Sequence, residues 1–99
     1  MVIEFDAELW VWDARRTETW TFVRLPEDVS EDIREVAGGQ GRGFGSVRVQ
    51  VVLGASVWKT SVFPEGGGCY VLPVKRAVRT AEGLEPGDVA HVSVELIEL

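Results

Sequence analysis

The chain has 99 residues, of which 45% are apolar and 26% charged, with a formal net charge of −6 at pH 7. This length predicts one domain, residues 1–99, with a core that needs no disulfide or metal. No apolar run approaches the roughly 20 residues that cross a bilayer, so we expect a soluble protein without a membrane partner. The acidic balance disfavours general nucleic-acid binding. The single cysteine, Cys69, and an N-terminus without a signal-peptide pattern predict a cytoplasmic location.

The first predicted unit is a β-hairpin. Apolar and polar side chains alternate over residues 2–12, which indicates a half-buried strand with Trp10 and Trp12 on its outer face. Residues 19–25 are rich in β-branched and aromatic side chains, which predicts the returning strand, and Pro26 ends it.

A helix and a second hairpin follow. The segment Glu27–Ala37 is predicted to be helical because its apolar residues share one narrow arc: Val29, Ile33, Val36 and Ala37. The glycine-rich residues 38–43 predict a flexible loop. Alternation over residues 47–53, a turn at Gly54-Ala55 and a returning strand over residues 56–63 then form the second hairpin.

The last third of the chain predicts a strand, a short helix, a tight turn and a final strand. A brief strand over residues 69–72 is closed by Pro73, and the helix that begins there has an apolar arc of Val74, Ala77, Val78 and Ala81. Gly83 ends the helix. Residues 85–88, Glu-Pro-Gly-Asp, suit a type II turn, and residues 90–96 alternate as a strand.

About six strands and two short helices predict a mainly β protein, a small closed or nearly closed barrel that hides its strand edges. The two helical segments are similar. Aligning Leu25-Pro26 with Leu72-Pro73 sets Val29 against Val74, Ile33 against Val78, Arg34 against Arg79 and Val36 against Ala81. We interpret this echo as an internal duplication, although any strand–helix–strand unit needs similar residues. The first helix is acidic and the second basic, so only the second is expected to attract an anion.

Three segments resemble a known family. The sequences TSVFP at 60–64, LPVKRAVR at 72–79 and GDV at 87–89 are similar to those of DUF1905, a family of small bacterial and archaeal proteins. The resemblance implies a double-split β-barrel, the architecture of the AbrB and MazE type of transcription factor. Two chains build that barrel in those factors, and one duplicated chain would build it here. The resemblance implies no catalytic residues.

Two groups of residues are candidates for ligand binding. The basic side chains Lys75, Arg76 and Arg79, together with Arg24 and Lys59, are suited to an anion site, since arginine binds phosphate and carboxylate in a bidentate manner. The alternative for this group is a solvated helix face. The tryptophans Trp10, Trp12 and Trp58 are suited to a stacking surface for an aromatic ligand, and the alternative for these is core packing.

The remaining residues give little support for catalysis. His91 is the only histidine, and no set of residues matches metal-ligand spacing, so neither a metal nor another cofactor is expected. Cys69 would need a lowered pKa to act as a nucleophile. The leading hypothesis is therefore a binding or adaptor module that holds a small molecule or a protein partner beside the second helix. The alternatives are AbrB-like DNA binding, which the net charge disfavours, and a small enzyme using Cys69 or His91.

Overall fold

A computed structural model describes residues 2–11, 21–37, 45–65 and 68–97. These residues form six strands and two helices, in the order β1 (Val2–Val11), β2 (Thr21–Arg24), α1 (Glu27–Ala37), β3 (Val47–Leu53), β4 (Ser56–Pro64), β5 (Tyr70–Val74), α2 (Arg76–Glu82) and β6 (Val89–Leu96). The strands close into a barrel in the order β1-β2-β5-β4-β3-β6, with all neighbours antiparallel. The predicted barrel with two helices is confirmed.

The barrel interior follows from the alternation in the strands. On β1, Phe5, Ala7 and Leu9 are buried while the intervening carboxylates are exposed. Alternate residues of the other strands also point into the interior, and the inward residues with less than 1% exposure are Leu9, Val23, Val49, Val51, Val62, Leu72, Val92 and Val94. A period of two places successive side chains on opposite faces, so the pattern in the sequence defines the core directly.

The barrel consists of two halves with the same topology. Exchanging β1, β2, α1 and β3 for β4, β5, α2 and β6 leaves every strand pairing unchanged. The halves are joined by four strand pairs, β2–β5, β3–β4, β3–β6 and β1–β6, and in the pair of β2 and β5 Val23 lies opposite Leu72. The topology thus supports the predicted duplication. The predicted match of Val29 with Val74 is wrong, because Val29 lies in α1 whereas Val74 ends β5.

Pro73 does not end β5 as predicted. The strand runs to Val74 and α2 begins only at Arg76. The pairing of β5 with β4 covers only Tyr70 and Val71, whereas its pairing with β2 continues to Val74. Among the described residues, Pro73 therefore has a neighbouring strand on one side only. Proline lacks an N–H, and a strand tolerates it where one side has no partner.

The apolar arcs of the two helices are narrower than predicted. In α2 only Val78 is buried, whereas Ala77 and Ala81 are exposed. In α1, Val29 and Ile33 are buried but Val36 is 41% exposed. α1 thus contacts the barrel through Val29, Ser30 and Ile33, and α2 through Val78 with Arg79 half-buried, while most of the other described side chains of both helices are exposed.

Some predictions concern residues outside those described. These are the glycine-rich loop at 38–43, the outer position of Trp12, and residues 19–20 of the second predicted strand. Among the described residues, neither helix has the length and apolar character needed to span a membrane.

Candidate functional site

A groove of about 420 Å³ lies beside α2. We call it the α2 groove, and its lining consists of Arg76, Arg79, Thr80, Gly83, Leu84 and Glu85. The two arginines are three residues apart on α2, a spacing that places side chains on the same side of a helix. The groove thus combines two guanidinium groups, one hydroxyl, one apolar side chain and one carboxylate.

The far side of the groove is formed where the chain leaves α2. Gly83 adopts φ +66°, and its backbone N–H donates to the carbonyl of Thr80. The N–H of Leu84 then donates to the carbonyl of Arg79 at 2.9 Å, so the chain folds back over the last turn of the helix. This is the C-terminal glycine cap that the sequence predicts. It brings Leu84, which packs partly against the core, close to the arginines.

Glu85 is held at the edge of the groove by the turn at residues 85–88. Its N–H donates to Asp88 Oδ2 at 2.9 Å, and the N–H of Asp88 donates back to the carbonyl of Glu85 at 2.9 Å. Gly87 has φ +98°, the conformation that a type II turn requires at this position. The backbone of Glu85 is therefore fixed, while its carboxylate has no hydrogen-bond partner among the described residues.

Arg79 is the half-buried cation of the groove. Its Nε is buried and finds no acceptor within hydrogen-bond distance in the structure described. A buried donor without a partner costs free energy, and a charged one costs more.

The other predicted basic residues lie elsewhere. Lys75 is exposed at the N-cap of α2 and does not line the groove. Lys59 is exposed on the outer face of β4, opposite Gln50 of β3. Arg24, on the outer face of β2, donates from Nε and Nη2 to the two carboxylate oxygens of Glu65, at 2.7 and 2.9 Å. The predicted group of five cations is thus divided, and only Arg76 and Arg79 share a groove.

The Arg24–Glu65 pair belongs to an aromatic cluster on the outer face of the barrel. The guanidinium of Arg24 lies 5.4 Å from the ring centre of Trp10, and Trp10 and Phe22 have ring centroids 5.4 Å apart. Hydrogen bonding to Glu65 raises the pKa of Arg24, and hydrogen bonding from Arg24 lowers the pKa of Glu65. Trp10 is on the outer face, as predicted, but its ring already contacts Phe22 and Arg24.

Trp58 does not lie on an outer surface. It is half-buried on β4 and packs against the core, in agreement with the alternative of core packing for this tryptophan. Neither Trp10 nor Trp58 lines the α2 groove.

The two candidate catalytic residues have no hydrogen bond to each other in the part of the chain that is described. His91 is exposed on β6, and its Nδ1 and Nε2 lie 2.8 Å from Asp6 Oδ1 and 2.9 Å from Glu4 Oε1. Cys69 is half-buried just before β5. Within the described ranges no three His, Cys, Asp or Glu side chains are grouped to hold a metal ion.

Sequence reasoning identified Arg76 and Arg79 but missed Thr80, Leu84 and Glu85. The signal was present, since Gly83 predicts that the helix ends and that the chain turns back at this point. Which side chains then face the arginines depends on the three-dimensional path of the turn.

The fold and its exchangeable halves define a double-split β-barrel. The chain belongs to the DUF1905 family, described as a domain of unknown function, whose model matches residues 5–94. The match covers nearly the whole chain and confirms the predicted membership. A comparison with curated proteins finds no match. The family description assigns no activity, so a function has to be argued from the site.

Proposed function

We propose that this chain is a single-domain binding module that holds an anionic group in the α2 groove. The observation that carries the proposal is the position of Arg76 and Arg79 in one groove, with the side chain of Arg79 half-buried beside it. Guanidinium groups bind carboxylates and phosphates through parallel hydrogen bonds. The hydroxyl of Thr80 adds a further donor at the same place.

The size of the groove also supports a small ligand. Its volume of about 420 Å³ gives room for a small ligand, and since the groove is open to solvent such a ligand would stay partly exposed. Trp10 and Arg24 are engaged in a separate cluster, so an aromatic ligand held between α2 and Trp10 gains no support. The lone Cys69 favours a reducing, cytoplasmic setting for this module.

An NMR titration tests the proposal. Acetate is added to the ¹⁵N-labelled protein at constant ionic strength, and we expect saturable shifts of the amides of Thr80, Gly83 and Leu84. The variants Arg76→Gln and Arg79→Gln should weaken these shifts. Lys59→Gln, which removes the same charge from the outer face of β4, is the matched control and should leave them unchanged. Shifts that persist in both arginine variants would contradict the proposal.

Duplex DNA provides the comparison with the AbrB-like alternative. DNA binding through α2 would weaken steeply with rising salt, because bound counterions are released from the phosphates. The net charge of −6 opposes such binding at long range. The DNA-binding function would replace the proposed one under two conditions. The protein would have to bind DNA tightly in a salt-dependent way that is lost in Arg76→Gln and Arg79→Gln, and it would have to show no saturable binding of small anions.

A further inference from the structure

The α2 groove carries charges of both signs. Arg76 and Arg79 lie on the helix, and Glu85 lies on the segment that folds back from its end. No ion pair within 4 Å joins these three residues in the structure described. The carboxylate of Glu85 therefore lies more than 4 Å from the guanidinium groups and is not paired with them.

The negative end of the groove makes it a poor site for a multiply charged anion. Glu85 repels a phosphate dianion, and so do the backbone carbonyls at the C-terminal end of a helix, which carry partial negative charge. These same groups attract a cation. A ligand with a carboxylate at one end and an ammonium at the other would satisfy both sides.

We infer that the α2 groove binds a zwitterion of the α-amino acid or short peptide class. Its carboxylate is bound by Arg76 and Arg79, and its ammonium faces Glu85. Leu84, partly exposed and partly packed on the core, supplies an apolar wall for a side chain. This inference rests on the proposed function, since it requires that the arginines bind an anionic group.

Three related compounds test the inference by NMR titration at pH 7 and constant ionic strength. Leucine carries both charges, N-acetyl-leucine only the carboxylate, and leucinamide only the ammonium. We expect leucine to bind about fivefold more tightly than N-acetyl-leucine, the effect of one partly exposed ion pair. Leucinamide should bind more weakly than leucine.

Substitutions then assign the two ends of the ligand. Glu85→Gln should lower the binding affinity of leucine to that of N-acetyl-leucine, whereas Arg79→Gln should lower the binding affinity of both compounds. Glu31→Gln, an equal change of charge at an exposed position of α1, is the matched control and should preserve the preference for leucine.

The outcomes separate the inference from the proposed function. If leucine and N-acetyl-leucine bind equally well and both require Arg79, the zwitterion inference is wrong and the anion site stands. A preference for leucine that survives in Glu85→Gln also contradicts the inference. If neither acid produces shifts that depend on Arg79, both the inference and the proposed function are overturned.

Discussion

Ser30 of α1 is joined to Tyr70 of β5 by a buried hydrogen bond, in which the backbone N–H of Tyr70 donates to Ser30 Oγ at 2.9 Å. The Ser30 side chain is fully buried. Its hydroxyl also lies 3.4 Å from the carbonyl of Leu25. A serine within a helix usually faces solvent or bonds to the backbone of its own helix. Ser30 instead bonds to a strand, and this hydrogen bond attaches α1 to the barrel.

We expect Ser30→Ala to destabilise the protein by about 1–3 kcal/mol, because it leaves the buried N–H of Tyr70 without an acceptor. Urea denaturation measures the change in the free energy of unfolding. Ser46→Ala, at an exposed position before β3, is the control and should change it by less than about 0.5 kcal/mol. Equal stabilities of the two variants would show that the hydrogen bond contributes nothing.

The pairing of β2 with β5 gives a second prediction. Val23 has no exposed surface where it lies opposite Leu72, whereas Val57 on β4 is 60% exposed. Val23→Ala and Val57→Ala each remove two methyl groups, but only Val23→Ala leaves a cavity in the core. We expect it to cost about 2–3 kcal/mol, and Val57→Ala to cost less than about 1 kcal/mol. Similar costs in urea denaturation would contradict the position of Val23 in the core.

Gly54 and Gly83 give a third prediction. Both have positive φ, +61° and +66°, so an alanine at either costs roughly 1 kcal/mol in backbone strain. A Cβ at Gly54 would also overlap the carboxylate of Glu82, which accepts a hydrogen bond from Ser56 Oγ at 2.7 Å. Nothing lies within 4 Å of a Cβ at Gly83. Gly54→Ala should therefore cost about 1 kcal/mol more than Gly83→Ala.

A double-mutant comparison checks the cause of that difference. In a Glu82→Ala background the side chain that the new Cβ displaces is absent, so the two glycine substitutions should cost the same. Thermal or urea unfolding is measured for the parent protein and the Glu82→Ala variant, each alone and with Gly54→Ala or Gly83→Ala. The comparison gives the coupling energy between Glu82 and each glycine substitution. If Gly54→Ala remains the more costly substitution in this background, the displacement of Glu82 is not its cause.

The barrel could be predicted from the sequence because its strands are buried on one face. Phe5, Ala7 and Leu9 alternate with carboxylates, and this pattern specifies both the strand and its inner side. The course of β5 could not be predicted, since a proline usually ends a strand. Pro73 is tolerated because, among the described residues, β5 has a partner on one side only at that point. Strand neighbours are not evident from local sequence.

The candidate site could be predicted in part for a similar reason. Arg76 and Arg79 share one side of α2 because of the helical period, which is a local property. Arg24 and Lys59 lie outside the groove because of where β2 and β4 are placed in the barrel. The inclusion of Glu85 depends on the path of the chain after Gly83. Local periodicity thus predicts the cationic side of the groove but not its anionic side.

His91 gives the fourth prediction, a pH dependence. It lies directly opposite Asp6 in the pairing of β1 and β6, and its two ring nitrogens contact Glu4 and Asp6. The hydrogen bond to Glu4, followed by that to Asp6, raises the pKa of His91 above its usual value of about 6.5. Because His91 is the only histidine, its ring protons can be followed without ambiguity by NMR.

The sign of the effect follows from linkage. A histidine whose pKa is raised on folding stabilises the folded state fully below its unfolded pKa, and this contribution is lost as pH rises through the folded pKa. The melting temperature should therefore fall as pH rises above about 6.5, and less so in His91→Gln. The substitutions Glu4→Gln and Asp6→Asn should each lower the pKa of His91, as should high salt, since all three groups are exposed. Glu8 lies on the same face, opposite Val89, and Glu8→Gln is the control that should lower the pKa of His91 by less. An equal shift in this variant would assign the raised pKa to the general negative charge of the face and not to the hydrogen bonds with Glu4 and Asp6.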